Sequence, residues 1–210
     1  MQSFSSMIIA LPAIVIALTF HEYAHGRVAD FLGDDTPYYQ GRLTLNPLPH
    51  IDWMGFLMLV IFHFGWAKPV QVNPLKFKNI TIKKGMMLVS LAGPAMNLLL
   101  AAVGMLALRL LGFDPHLGTY SGNNLLLIQL VYPLVSINLI LAAFNLIPVP
   151  PLDGSRILAG LLPDSGTQAI YSLEQYGPLL LLLLIITGTA RTVFLPVAGL
   201  LESLLYGLVF

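Results

Sequence analysis

Three uninterrupted apolar stretches constrain this chain more than any other feature. They run from about 5 to 29, from about 85 to 112 ("GMMLVSLAGPAMNLLLAAVGMLALRLLG") and from about 124 to 147 ("NLLLIQLVYPLVSINLILAAFNLI"). A helix needs about 20 apolar residues to cross the hydrocarbon core of a bilayer, and each stretch reaches that length. In lipid every backbone N–H and C=O must find an internal partner, so such segments form helices. Composition agrees, with 57% of the 210 residues hydrophobic and 10% charged, against about 25% charged in ordinary soluble domains. The sequence therefore predicts an all-α polytopic membrane protein. The stretch from about 176 to 210 is apolar but interrupted near Arg191 and Pro196, and reads as one crossing plus a second short helix. The run "MGFLMLVIFHFG" (54 to 65) is too short to cross and reads as a re-entrant element. The expected total is about five to six membrane segments. They form one membrane-embedded domain over 1–210, with a core of about 5–160 and C-terminal membrane helices over about 168–210.

Charge and composition narrow the function. The formal net charge is zero and no basic region stands out, so nucleic acid is not an expected partner. The absence of cysteine excludes a thiolate metal site, a cysteine nucleophile and a disulfide framework. The first apolar run has no basic start and no small-residue cleavage site, so it reads as a retained helix rather than a leader. Lys68, Lys76, Lys78, Lys83 and Lys84 crowd residues 66 to 84, while 113 to 123 hold no lysine or arginine. The positive-inside rule then makes the first loop cytoplasmic, with Arg27 and Arg42 on the same side, and leaves the N-terminus external. It also brings residues 21–25 and 148–154 to one membrane face. Between the first two main helices, alternation at Leu43 and Leu45, then at Val70 and Val72, predicts a small β-containing insert with strands near 41–46 and 69–73.

The first apolar stretch ends in "FHEYAHG". His21 and His25 lie four apart, so on a helix they share a face and can converge on one metal ion. Neutral imidazole suits Zn²⁺, and Glu22 stands beside the pair as a general base. A polar helical turn is the bland alternative. It is weakened here because an ionisable side chain within a membrane helix costs roughly 2.5 to 3.5 kcal/mol on insertion scales. Catalytic zinc takes three protein ligands and one open position. The third ligand is then a His, Asp or Glu, and "NLIPVPPLDGSR" (145 to 156) offers Asp153 on the same membrane face, with His50 and Asp52 as fallbacks. Pro148, Pro150 and Pro151 break the helix before it, although an ordinary helix-ending loop accounts for the same residues. Ser90, Gly93, Asn97, Ala101 and Gly104 form a small-and-polar stripe suited to close helix packing, and Asn138 and Asn145 share a face of the next long helix. His63 and His116 read as interfacial or structural. Glu202 reads as a partner for Arg191 or as an interfacial residue.

Taken in order, "HEYAH", "AGPAMN" and "NLIPVPPLDG" resemble the three signatures of site-2 proteases, a family of intramembrane zinc metalloproteases. "GRLTLNPLPHID" and "GWAKPVQVNP" resemble the connecting region of its compact prokaryotic branch, which lacks a PDZ domain. The likeness covers about residues 15 to 160, and Trp53 stands where a proline is usual. The resemblance implies one catalytic Zn²⁺ held by His21, His25 and Asp153, with Glu22 activating water. It places Asn97 and Asn145 on motif asparagines with substrate or transition-state contacts. It implies substrates that are membrane-spanning segments in the lipid bilayer, cut near the cytoplasmic side in regulated intramembrane proteolysis. Two other classes compete. A metal carrier with an intramembrane His/Asp site has no need of Glu22 and usually shows repeated halves, which are absent from the sequence. A catalytically inactive helix-binding adaptor has no need of intact His21, Glu22, His25 and Asp153.

Overall fold

The computed structural model describes residues 4–62, 65–116, 118–120 and 124–210. His63 lies outside them. Four helices are long and apolar enough to cross a membrane, over Ile8–Phe31, Ile82–Leu110, Leu125–Asn145 and Thr192–Val209. The three predicted stretches thus become three continuous helices, and a fourth follows near the C-terminus.

The first helix, α1 (Phe4–Phe31), runs through Pro12 and carries the His-Glu-x-x-His segment in its second half. A four-residue helix α2 (Thr36–Tyr39) and a short 3₁₀ turn (Leu48–His50) lead to α3 (Trp53–Phe62). At ten residues α3 is too short to span, as its sequence predicts. Asp52 precedes it, and its carboxylate accepts the Gly55 N–H at 2.9 Å, so the Asp-Trp pair starts this helix. The next long helix, α4 (Ile82–Leu110), begins where Thr81 Oγ1 accepts the Lys84 N–H, and passes through Pro94. A pair of two-residue strands, β1 (Phe113–Asp114) and β2 (Thr119–Tyr120), turns the chain into α5 (Leu125–Asn145). After a proline-rich turn come the shorter helices α6 (Asp153–Leu161), α7 (Asp164–Glu174) and α8 (Gly177–Ile186), and finally α9 (Thr189–Val209).

Helices α1, α4 and α5 pack against one another, α6 leans on α4, and α9 closes against α4 and α5. The predicted stripe on α4 forms the seam: Ser90, Gly93, Asn97, Ala101 and Gly104 are all buried. Small side chains let the helices approach closely, which is how membrane helices gain contact when lipid offers no hydrophobic drive between them. Leu108, Met105, Ile128, Val135 and Leu139 fill the adjoining apolar core.

The structure differs from the sequence reading in two places. The strands expected at 41–46 and 69–73 are not regular strands. Among the described residues of that insert, pairing is limited to an isolated bridge between Ile51 and Ala67, and the short strand pair lies instead between α4 and α5. The cause is a different set of acceptors. Val70 N–H donates to Glu22 Oε2 at 2.8 Å and Asn73 N–H to Asp34 Oδ2 at 2.6 Å, so carboxylates take backbone donors that a ladder would use. The C-terminal interruption also shifts. It falls at Gly188, whose φ of 73° ends α8 and starts α9, while Pro196 sits inside α9.

Candidate metal centre

Two helices bring one cluster of three side chains together. His21 and His25 project from α1 one turn apart, and Asp153 is the first residue of α6. The Asp153 Oδ2 atom lies 3.3 Å from Nε2 of each histidine, and the two Nε2 atoms are 3.0 Å apart. Among the described residues, these three form a group whose ligand atoms all lie within 4.8 Å of one another. Asp153 sits in the first turn of α6, just past the prolines.

Packing sets the direction of both rings. Asn97 gives its Nδ2 hydrogens to Asn138 Oδ1 at 2.7 Å and to the Ala17 carbonyl at 3.2 Å, so its Oδ1 is the acceptor facing His21 Nδ1 at 2.6 Å. His25 Nδ1 donates to the Val89 carbonyl at 2.7 Å. With Nδ1 protonated in both rings, each neutral imidazole turns a lone pair on Nε2 towards the other and towards Asp153. The buried Oδ2 of Asp153 has no hydrogen-bond partner. Three electron-rich atoms therefore face one point inside the fold. A divalent cation satisfies that arrangement, and two imidazoles with one carboxylate form a donor set suited to zinc.

Glycines at two positions make room. A Cβ on Gly93 would lie 2.5 Å from His21 Cε1 and from His25 Nε2, so α4 presents bare backbone to both rings. A Cβ on Gly154 would lie 2.4 Å from the Leu146 and Ile147 carbonyls, so glycine lets α6 begin against the end of α5 and brings Asp153 inward.

Glu22 lies in the same cavity, about 170 Å³ in volume, together with Val70, Asn145 and Arg156. Its carboxylate accepts the Val70 N–H and stands 3.8 Å from the Arg42 guanidinium. The base candidate thus touches the insert, while the three ligand candidates are held by the helices.

A family model described as peptidase family M50 matches residues 116–185, a region that includes Asp153 but not His21 and His25. Relatives extend the likeness over most of the chain. Several carry the name "Putative zinc metalloprotease", among them three from different organisms. YwhC of Bacillus subtilis is 38% identical over 186 residues, covering 87% of this chain and 82% of the relative. Rip2 of Mycolicibacterium smegmatis is 33% identical, covering 86% and 67%. MJ0611 of Methanocaldococcus jannaschii is 30% identical, covering 72% and 69%. The chain belongs to peptidase family M50. It is a zinc metalloprotease of a multi-pass membrane type, as the resemblance implies. No solved structure matches it.

The M50 framework separates the two motif asparagines. Asn145 lines the cavity and gives one Nδ2 hydrogen to the Leu141 carbonyl at 3.0 Å. Asn97 is fully buried, is not among the residues lining the cavity, and meets His21 Nδ1. His50 does not join the cluster. It is 2% exposed and its Nε2 donates to the Thr44 carbonyl at 2.9 Å. Burial, aided by the Arg42 charge, lowers its pKa against the opposing Thr44 contact. His116 is exposed and stacks on Tyr206 with centroids 3.8 Å apart, and Glu202 is exposed.

Sequence reasoning gave Arg42 only a topological role. The peptidase instead buries it at 3% exposure, where its guanidinium donates to the Pro49 carbonyl at 2.8 Å and to the Lys68 carbonyl. Arg42 thereby ties both halves of the insert to the neighbourhood of Glu22. Its position in "GRLTLNPLPHID", next to the turn at Gly41, was the available signal.

Proposed function

We propose that this M50 peptidase hydrolyses peptide bonds of membrane-spanning segments, with His21, His25 and Asp153 as zinc ligands and Glu22 as the base that takes a proton from water. The reading rests above all on the unpartnered Asp153 oxygen converging with two lone-pair nitrogens in a cavity that also holds Glu22. Zinc, when bound, would supply Lewis acidity towards the scissile carbonyl and towards water. Glu22 is held by Val70 N–H and faced by Arg42, which orient the carboxylate that accepts a proton and later passes it to the leaving amine. Asn97 keeps His21 in the tautomer that offers Nε2, a supporting role of the kind that orients metal ligands. Asn145, on the cavity wall, touches the bound peptide.

A substrate helix hides its carbonyls in i to i−4 hydrogen bonds and must open before attack. The extended segment 69–72 beside Glu22 supplies an edge for the opened strand, since neither Gln71 nor Val72 N–H has a partner among the described residues. Lysines of residues 66–84 place this side of the membrane in the cytoplasm, so the cut lies near the cytoplasmic end of the segment. The deciding experiment compares Glu22→Gln with the unaltered protein for zinc content and for cleavage of a model transmembrane peptide. The amide cannot accept a proton, so zinc stays and turnover falls to background. Full zinc with undiminished cleavage removes Glu22 from the reaction. Products mapped to the external end of the peptide overturn the orientation.

A further inference from the structure

Among the described residues, Arg156 is the one guanidinium on the wall of the cavity that holds Glu22 and Asp153. It lies three residues after Asp153 on α6, so the two side chains share a helix face. It also lines a second, larger groove of about 750 Å³ that opens from that cavity. Pro69, Val70 and Val72 border both spaces, so the extended segment beside Glu22 forms one continuous wall from the cluster outwards. On the opposite wall, Tyr171 and Glu174 of α7 bound the groove.

The state of the Arg156 side chain matters. Its Nε donates to Glu174 Oε1 at 2.9 Å, and its side chain is 41% exposed. That contact fixes the plane of the guanidinium between α6 and α7. Among the described residues, its two terminal NH₂ groups make no hydrogen bond. A planar fork with a fixed stem and free prongs suits a carboxylate, which it can meet bidentately. Lys68 at the groove's rim adds a second positive charge.

We infer that Arg156 is a specificity-determining residue that binds an acidic side chain of the substrate within a few residues of the cleaved bond. This rests on the protease reading above. A peptide laid along 69–72 with its scissile bond at Glu22 must pass Arg156 on leaving the cavity. A carboxylate there gains a charge-assisted pair, and a lysine at the same place meets like charge from Arg156 and Lys68.

The test uses the purified full chain with zinc and model transmembrane peptides carrying Glu, Gln or Lys singly at each of the five positions on either side of the cut. At one or two adjacent positions, kcat/KM for Glu should exceed that for Gln by about 3- to 30-fold, the range between an exposed ion pair and a well-formed charge-assisted bond. Lys should fall below Gln, and the preference should shrink as salt rises. In Arg156→Gln the Glu-to-Gln ratio should collapse to about one, a change that lost packing does not produce. Glu174→Gln retains Arg156 and should keep the ratio or widen it, which preserves the test where Arg156→Gln fails to fold. Equal kcat/KM for all three substrates, or a preference that survives Arg156→Gln, overturns the inference and leaves the protease reading standing. Failure of the unaltered protein to cut any peptide removes both.

Discussion

The two ends of the helical bundle solve the same problem in opposite ways. At one end His21, His25 and Asp153 sit among apolar helices, and at the other so do Arg109, Asp114 and Tyr206. At the second end polar groups close on one another: Arg109 donates to the Val209 carbonyl, and Tyr206 O–H to Asp114 at 3.0 Å. His116 and Phe210 stack on the two sides of Tyr206, and Arg109 lies 5.8 Å from the Phe210 ring. At the first end the supporting contacts are equally complete on the outside of the cluster, yet three ligand atoms face inward without donors of their own. Buried polar groups are normally satisfied. The difference teaches that charged and polar groups among apolar helices do not by themselves mark a site; the mark is a set of atoms that the chain orients but does not saturate.

Substitutions at the two ends should therefore separate cleanly. The largest effect belongs to Asp153→Ala, which leaves two histidines, too few to hold zinc tightly. Metal analysis after dialysis should find the zinc gone and cleavage at background; tightly held stoichiometric zinc would transfer the third-ligand role elsewhere. Next comes Gly93→Ala, whose methyl group would overlap both imidazoles. Overpacking of this kind costs about 1 to 3 kcal/mol, and the rings must move to relieve it. The expected result is weaker zinc binding together with a lowered Tm, and an unchanged zinc affinity would contradict the close approach of α4.

Asn97→Ala should act more mildly. It removes the acceptor that fixes His21, and loss of such supporting contacts typically costs about 10- to 100-fold in metal affinity or activity. Zinc competition with a chelator measures this directly, and a fall in KM-dependent binding with zinc affinity intact would return Asn97 to a substrate role. Tyr206→Phe, at the opposite end, should produce the smallest change. One hydrogen bond to Asp114 is lost, worth about 0.5 to 1.5 kcal/mol, with kcat/KM and zinc content unaltered. A loss of activity there would break the division between the two ends.

Legibility followed the same division between what side chains announce and what the fold arranges. The convergence of His21, His25 and Asp153 was readable because metal chemistry restricts residue type, helical spacing fixes the pair, and prolines signal where a chain leaves a helix. The three long helices were readable from apolar length. The direction in which Asn97 faces was not, because it depends on the register of α4 against α1, which no local pattern encodes. Gly93 was legible as a packing residue, but that imidazoles rather than a helix back were its neighbours appears only in three dimensions. Arg42 looked like a topological charge because a lone arginine in a loop carries no sign of the carbonyls it will meet. The expected strands failed for a related reason: alternation reports an extended chain, and extended chains do not need to pair with one another when carboxylates at Glu22 and Asp34 take their N–H groups.

That last contact has a bearing on how this protein can change over time. Glu22 is grasped through the amide of Val70, and every residue type except proline carries such an amide. Position 70 is therefore free to drift in size, shape and polarity while the grip on the carboxylate persists. On the function proposed above, substrate preference along this wall can be retuned one side chain at a time without disturbing the carboxylate proposed to take the proton.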